Sequence, residues 1–251
     1  MLSFLRRLRR SLIEQGHLRK YLVYAIGEIL LVMIGILLAI QVNNWNQDRQ
    51  DRIEEQIALA NLQKDFELNR SNILASIDQL KGTINGSTMI LQFTGHKYDP
   101  DEFDLDLDSL LILTTTTPRF FPQEGSLNEI INSGRLSQIR NAELRNLLSS
   151  WRTSVDYIMD RTEVNHTESL KIVDFVTEHG NWLKVDSRIG LKNADLPKSG
   201  FNTTNTSLLS YGEFESLIDV QIVFKDGLLD GYKSTLALCE QIQSKIEIEL
   251  K

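Results

Sequence analysis

The sequence has little cysteine and little proline, which excludes a disulfide scaffold and frequent breaks in its helices. The single cysteine, Cys239, cannot form a disulfide within the chain, so the fold is not a disulfide scaffold. Its spacing predicts a position in a helix core, against the alternative of a reactive thiol. Only four prolines occur, at positions 100, 118, 122 and 197. Long helices are therefore permitted over most of the chain.

Motifs that carry catalysis or bind a cofactor are also missing. The sequence contains no G-x-S-x-G turn, no phosphate-binding glycine loop and no Cys/His nucleophile pair with supporting context. The four histidines have no metal-binding spacing, and His166-Thr167-Glu168 lacks the second ligand pair that zinc needs. We therefore expect a protein that is not an enzyme, with no catalytic residues and no cofactor.

An acidic stretch, DPDEFDLDLD at residues 99–108, invites a calcium hypothesis. Asp104, Asp106 and Asp108 are spaced like the start of an EF-hand loop. However, Ser109 stands where the turn glycine is required and Thr115 where the bidentate glutamate is required. The pattern favours a solvated acidic loop before a short apolar helix or strand, and we expect no metal.

One long apolar run, YLVYAIGEILLVMIGILLAIQV at residues 21–42, dominates the sequence. As a helix it is about 33 Å long, enough to cross the hydrocarbon core of a bilayer. Tyr21 and Tyr24 at one end and Trp45 at the other lie where aromatic side chains anchor a span at the membrane interface. The sequence therefore predicts a transmembrane helix with the lipid bilayer as its first partner.

Charge is distributed unequally around this run. Residues 1–20 carry a net charge of +5, and residues 43–251 carry a net charge of −11. The basic residues that would keep the first segment in the cytoplasm are Arg6, Arg7, Arg9, Arg10, Arg19 and Lys20. We expect a single-pass protein of the bacterial inner membrane, with its N-terminus cytoplasmic and its C-terminal domain periplasmic. Both the compartment and the acidity argue against a nucleic-acid partner.

A cleavable signal peptide is the alternative, but residues 21–42 are longer than a signal core and no A-x-A-like site follows them. Residues 1–20 themselves fit either an interfacial helix, with Leu5, Leu8 and Leu12 on one stripe, or an unstructured topogenic tail.

One acidic residue, Glu28, interrupts the apolar run. At 100° per residue, Gly35 and Ala39 fall on the same helix face as Glu28. Small residues allow helices to approach closely, and a polar group can bond across the contact. This face predicts packing against another transmembrane helix, from a second copy or from a partner protein. The alternative is that Glu28 only reaches the headgroups or bonds to Tyr24.

The rest of the chain reads as all-α. An apolar stripe indicates a helix that faces the domain core; its residues are Leu59, Leu62, Phe66, Ile73, Ile77, Leu80 and Ile84. An intermolecular coiled coil is the less favoured interpretation, because Asn69 or Arg70 interrupts the heptad pattern. We predict a basic arm at 1–20, a span at 21–42 and a periplasmic helical bundle at 43–251. Its long helices are expected at about 46–82, 141–179 and 213–250, with a short one at about 127–133 that starts with a capping box at Ser126. Residues 86–125 and 181–212 give no clear pattern.

Two stretches together resemble a known family. They are YAIGEILLVMIGILLAIQVNNWN at residues 24–46 and SLNEIINSGRLSQIRNAELRNLLSSW at residues 126–151. The pairing is similar to a family of uncharacterised single-span proteins of Bacteroidota-type bacteria, domain of unknown function 6090. The resemblance implies topology and fold, and it transfers no catalytic residues.

Two functions remain open from sequence. The first is a non-enzymatic accessory or scaffold subunit anchored in the membrane. The second is a bundle that senses a ligand and relays its state through the span to a partner protein.

Overall fold

The computed structural model describes residues 18–95, 98–99 and 104–250. Within these ranges the chain is helical and contains no β-strand, which confirms the all-α prediction. The helices are α1 (Leu18–Leu91), α2 (Leu107–Thr115), α3 (Gly125–Asn132), α4 (Ala142–His179), α5 (Trp182–Ile189) and α6 (Gly212–Glu249). Two short 3₁₀ segments, Arg135–Gln138 and Asn205–Ser210, lie between them.

The chain divides into two compact units, Met1–Ile57 and Ala58–Lys251. The described part of the first unit is helical throughout and forms the beginning of α1. The second unit holds the remainder of α1 and all the other described helices. The hydrophobic core belongs to this second unit.

Three long segments pack side by side in the second unit, namely α1 from residue 58 onward, α4 and α6. Helices α4 and α6 are antiparallel, because Asn141 at the start of α4 donates to Glu249 at the end of α6 and Asn165 donates to the Phe224 carbonyl. Helix α1 is also antiparallel to α6, since Arg70 pairs with Glu240 while Thr94 bonds to Glu215. Helices α1 and α4 therefore run in the same direction.

All three helices bury a regular stripe in which steps of three and four residues alternate. In α1 the stripe is 59, 62, 66, 69, 73, 76, 80, 83, 87 and 90, in α4 it is 144, 148, 151, 155, 158, 162, 165, 169, 172 and 176, and in α6 it is 214, 218, 221, 225, 228, 232, 235, 239, 242 and 246. A repeat of 3.5 residues keeps one face towards its neighbours along the whole helix. The expectation that Asn69 interrupts this pattern is wrong. Asn69 lies in phase and is fully buried, so α1 forms core here as the apolar stripe predicted.

Asn69 is accommodated in the core because its amide makes two backbone hydrogen bonds. Its Nδ2 donates to the Gln123 carbonyl at 2.8 Å, and its Oδ1 accepts from the Gln123 N–H at 2.7 Å. A buried polar group is tolerated when it is paired in this way. Asn69 thus holds the extended segment between α2 and α3 against α1.

Helix α1 continues past the predicted end near residue 82 and reaches Leu91. Gly82 and Gly86 favour a helix end by their weak helix propensity, but both are internal to α1. A Cβ at Gly86 would lie 3.3 Å from the Leu113 Cβ, so the missing side chain lets α2 pack closely on α1. Buried residues continue beyond it, at Ser87 and Ile90. Packing against α2 overrides the weak helix propensity of glycine.

The predicted capping box at Ser126 does not form. Helix α3 begins at Gly125, two residues before the predicted start at residue 127, and its N-cap Glu124 makes no side-chain capping bond. The Ser126 N–H instead donates to Asp65 of α1 at 3.0 Å. A carboxylate from a neighbouring helix therefore satisfies the free N–H groups of this helix start. Gly134, two residues after the end of α3, adopts a φ of +71°, which glycine does readily beyond a helix C-terminus.

Residues 181–212, for which sequence gave no pattern, contain α5 and a 3₁₀ segment held by one buried amide. Asn205 Oδ1 accepts from the Asn181 N–H at 2.7 Å, and its Nδ2 donates to Asp108 at 2.6 Å. The chain must turn tightly at Gly180, where a Cβ would lie 2.7 Å from Asn205 Oδ1. These bonds fasten the segment to the start of α2.

The core of the second unit has two apolar clusters. The first surrounds Phe66 and Trp151, whose rings meet edge-to-face with centroids 4.8 Å apart. The second lies towards the other end of the three helices and includes Ile90, Ile172 and Phe214. Burial of such side chains contributes about 1.5–3 kcal/mol each. The stripe positions between the two clusters are polar.

Candidate functional site

The surface of α1 between Leu22 and Val42 is apolar and open. Its large apolar side chains are 44–73% exposed, with Leu30 and Leu31 at the two limits. Exposed apolar area is unfavourable in water by about 25 cal/mol per Å². Among the described helices, α1 is the one long and apolar enough to cross a membrane, and none of its most apolar stretch is buried. This surface can therefore contact lipid or another apolar helix.

The structure places the predicted packing residues in one unbroken helix. Glu28, Gly35 and Ala39 are exposed, and a Cβ at Gly35 would meet no other atom within 4 Å. Steps of seven and four residues keep the three on one side of α1. The face is thus continuous, and its packing against a second helix stays a prediction.

The predicted anchors and topology residues lie at the ends of the same apolar stretch. Tyr24 and Trp45 are 62% and 66% exposed, as a side chain in contact with an interface would be. Tyr21, Arg19 and Lys20 are in the first turns of α1, and Arg19 is exposed. Arg6, Arg7, Arg9 and Arg10 lie outside the described residues. The assignment of these residues to a membrane interface stays a prediction.

A second candidate site is a buried layer of polar side chains between the two apolar clusters. We call it the polar layer. Every side chain in it is at most 2% exposed, and three neighbouring helices and α2 contribute to it. Its members are Ser87 of α1, Thr114 of α2, Asn165 and Ser169 of α4, and Gln221 and Lys225 of α6.

Hydrogen bonds link the polar layer across the helices. Gln221 Nε2 donates to Ser169 Oγ at 2.7 Å, and Ser169 Oγ donates to the Asn165 carbonyl at 2.9 Å. Ser87 donates to the Thr114 hydroxyl at 3.2 Å. The Thr114 carbonyl, in the last turn of α2, accepts from both Gln221 and Lys225. Carbonyls at a helix end lack intrahelical partners, so α6 caps α2 from the side.

Lys225 is the unusual member of the polar layer because it is fully buried. Its Nζ donates to the Thr114 carbonyl. Burial lowers the pKa of the Lys225 amine from 10.5 to about 7, since the charged form loses its hydration. The amine therefore changes its charge near neutral pH, which lysine does only when it is desolvated.

Two acceptors in the polar layer remain unused. Asn165 Oδ1 and Gln221 Oε1 are buried and accept no hydrogen bond within the described chain. An unpaired buried acceptor costs about 1–3 kcal/mol. These two unpaired acceptors lower the stability that the polar layer contributes.

A shallow groove of about 180 Å³ lies beside α4, on the face that carries the segment between α2 and α3. Its walls combine apolar side chains with one cation and one anion. The lining residues are Arg119, Phe120, Phe121, Pro122, Ile158, Met159, Thr162 and Glu163. Phe121 and Met159 are 72% and 54% exposed. Neither Arg119 nor Glu163 forms an ion pair in the described chain, so both charges can meet a small amphipathic molecule.

The acidic stretch has a structural role at the start of α2. Asp106 is the N-cap and accepts from the Ser109 N–H, and it also pairs with Arg188 at 3.0 Å. Hydrogen bonds from Ser109 and Arg188 hold the pKa of Asp106 below its usual value, although burial acts in the opposite direction. Asp108 accepts a hydrogen bond from the Asn205 side chain. No group of three or more His, Cys, Asp or Glu side chains that could hold a metal is found in the described ranges.

Cys239 lies in the helix core, as its spacing predicted. Burial raises the pKa of its thiol to about 12, with the nearby Glu240 adding to the effect. The thiol donates to the Phe66 carbonyl at 3.4 Å. A thiol that stays protonated is a poor nucleophile, so Cys239 acts as a small core side chain.

The polar layer was not predicted from the sequence, although its residues have a recognisable spacing there. Gln221 and Lys225 stand at stripe positions between Ile218 and Leu228, with steps of three and four residues. The same holds for Asn165 and Ser169 on α4. A count of apolar residues alone skips such positions, whereas a search for a complete heptad register would have found them.

These features define a mostly helical protein with an N-terminal helix that could span a membrane and a helical core crossed by buried polar side chains. The chain belongs to the family of unknown function DUF6090, whose sequence model matches residues 28–159. That range covers nearly all of both stretches that carried the resemblance. No curated protein and no solved structure matches the chain.

Proposed function

We propose that the protein is a single-pass inner-membrane protein and that it serves as a non-enzymatic accessory or scaffold subunit. In this proposal residues 1–20 lie in the cytoplasm, residues 21–42 cross the bilayer, and residues 43–251 form a periplasmic helical domain. The observation that carries the proposal is the fully exposed apolar surface of α1 between Leu22 and Val42. Lipid is the solvent that makes such a surface favourable.

The charge asymmetry supports the orientation. The net +5 before the apolar run and the net −11 after it match the rule that basic segments stay in the cytoplasm. A tag fused after Lys251 tests this in spheroplasts treated with protease. Loss of the tag while a cytoplasmic marker survives supports the proposal. A protected tag, or a trimmed chain found in the soluble fraction, contradicts it.

The face formed by Glu28, Gly35 and Ala39 supports a partner within the membrane, either a second copy or another protein. A transmembrane association assay should lose signal with Gly35→Leu and with Glu28→Leu, because bulk or lost polarity separates the helices. Leu37 lies about 180° from Glu28, so Leu37→Phe is the matched control and should retain the signal. Equal signals from all variants would contradict helix packing on this face.

A scaffold is expected to bind a second protein. Crosslinking in intact cells, with a photoreactive residue at Leu31 or at Phe121, should capture a defined membrane neighbour. A chain that crosslinks only to lipid at both positions would contradict the scaffold role and leave the anchoring intact.

The groove beside α4 favours a second candidate function, the sensing of a small ligand that is relayed through the span. Its two opposite charges, Arg119 and Glu163, and its exposed Phe121 suit a molecule with an apolar body and a zwitterionic head. The test is the melting temperature of the full chain in lipid nanodiscs with a mixture of free amino acids. A rise that Arg119→Ala abolishes supports sensing, because ligand bound only to the folded state stabilises it. No rise with this mixture contradicts the amino-acid version of the proposal.

A further inference from the structure

The polar layer differs from the rest of the core in what holds it together. On either side, apolar side chains interlock around Trp151 and around Phe214. Inside the layer, the contact between α2 and α6 consists of hydrogen bonds from Gln221 and Lys225 to one carbonyl, that of Thr114. The contact between α2 and α6 in this layer therefore includes one titratable group, the Lys225 amine.

The Lys225 amine has one acceptor for its protons. A neutral amine has two N–H donors, and an ammonium has three and a full charge. With the Thr114 carbonyl as its one hydrogen-bond partner in the described chain, the neutral form leaves fewer donors unsatisfied. The two unused acceptors of the polar layer, Asn165 Oδ1 and Gln221 Oε1, are carbonyl oxygens and carry no charge.

No counter-charge is bonded to Lys225 from any helix around it. Residues 82–91 of α1 contain no charged side chain, and α2 has only Asp108, at its far end and bonded to Asn205. On α4, Arg161 stacks on Tyr157 and Glu168 bonds to Lys171. The other titratable groups that flank the layer are Glu163 and His166 on α4, Asp226 and the buried Tyr232 on α6, and Arg119 on the segment after α2. Desolvation is accordingly the one cause that lowers the pKa of Lys225.

We propose that the polar layer is a proton-linked latch: above neutral pH the closed layer holds Lys225 as a neutral amine, and its opening at α2 takes up one proton from solvent. The proton adds to the lone pair of Nζ, no other bond changes, and the charged side chain is then hydrated. The latch is independent of the anchoring role proposed above and needs no ligand other than the proton.

The latch makes a quantitative prediction for the equilibrium between the closed and open layer. The closed amine has a pKa of about 7 and the hydrated amine the ordinary value of 10.5. Between these values the open state binds one more proton, so the opening constant falls about tenfold for each pH unit gained. Below about pH 7 both states are protonated, and the opening constant is then constant and maximal. Alkaline conditions close the latch.

Hydrogen exchange read by mass spectrometry on the full chain in lipid nanodiscs tests this proposal. Exchange of peptides covering 107–118, corrected for the intrinsic rate at each pH, gives the opening constant. The wild type should show a plateau below about pH 7 and a tenfold fall per unit above it. Lys225→Met should abolish the slope and lower the opening constant at every pH. Lys225→Arg should also abolish the slope, but it should raise the opening constant. Lys233→Met, an exposed lysine on the same helix, should retain the wild-type slope.

Two results would overturn the latch. One is a wild-type opening constant that does not change between pH 7 and pH 9. The other is a slope that persists unchanged in Lys225→Met. If Lys225→Met cannot be recovered in folded form, the wild-type profile and Lys225→Arg decide the question without it.

Discussion

The two regions of the molecule invert the usual placement of polar and apolar groups. Residues 22–42 of α1 expose apolar side chains on every side, and the bundle from residue 58 onward buries a lysine. Soluble proteins tolerate neither feature without compensation. For the apolar stretch, the proposed compensation is a different solvent, the lipid bilayer. The lysine is explained by loss of its charge, so the two inversions have different physical origins.

The comparison is tested most strongly at Lys225. Its pKa is about 7 in the folded chain and 10.5 in water, so the unfolded state binds more protons between these values. The free energy of unfolding should therefore rise from about pH 7 to pH 10.5. Lys225→Met should raise it by on the order of 5 kcal/mol at pH 6, with the gain shrinking as pH rises. Urea unfolding of the full chain in detergent at several pH values measures this, with Lys233→Met as the control.

Two tryptophans allow the two regions to be compared directly. Trp151 is fully buried beside Phe66, and Trp45 is 66% exposed. Trp151→Ala should lower the free energy of unfolding by about 3–5 kcal/mol, because it removes core contacts and leaves a cavity. Trp45→Ala should leave the unfolding of the bundle unchanged. Equal losses from both substitutions would mean that burial does not distinguish the regions.

Asn69 tests whether buried polar groups in the bundle stabilise it when they are paired. Asn69→Ala removes both hydrogen bonds to the Gln123 backbone and should cost about 1–3 kcal/mol. Asn72, one turn later and exposed, provides the control Asn72→Ala, expected within about 0.5 kcal/mol of wild type. Chemical denaturation reports both values. A neutral Asn69→Ala would show that the segment between α2 and α3 is held by other contacts.

The smallest effect is expected at the surface of the same bundle. Arg70 and Glu240 join α1 to α6 at 2.9 Å, but both side chains are nearly half exposed. A double-mutant cycle with Arg70→Ala and Glu240→Ala should give a coupling energy of about 0.2–1 kcal/mol that decreases with added salt. A coupling of several kcal/mol would place this ion pair among the main determinants of the fold.

Much of the fold could be predicted because helix periodicity survives in the sequence. The stripe of α1 and the ranges of α4 and α6 follow from local spacing. In the structure Asn141 caps α4 by accepting from the Leu144 N–H at 3.0 Å. The end of α1 could not be predicted, since Gly86 reads as a breaker until α2 is known to pack on it. The same applies to α3, whose start is capped by the distant Asp65.

Of the two candidate sites, one could be predicted from the sequence and the other could not. The apolar span is a property of consecutive residues, so the sequence alone locates Glu28, Gly35 and Ala39 on one face. The polar layer joins residues that are 27 to 111 positions apart, from Ser87–Thr114 to Thr114–Lys225. Only the folded chain shows that Lys225 donates to a carbonyl at the end of α2 and pairs with no carboxylate in the described residues.

The alternating three and four residue steps leave one ambiguity that the polar layer removes. Since the stripe of α6 repeats every seven residues, sliding this helix by one repeat would again match apolar positions with apolar positions along most of its length. Such a slide would bring Lys225 to the position now occupied by Ile218 or by Tyr232. Its amine would then lie among apolar side chains, with no carbonyl to accept its hydrogen bond. Gln221 and Lys225 therefore fix the register of α6 against α1 and α4, whereas leucine at both positions would leave the register ambiguous.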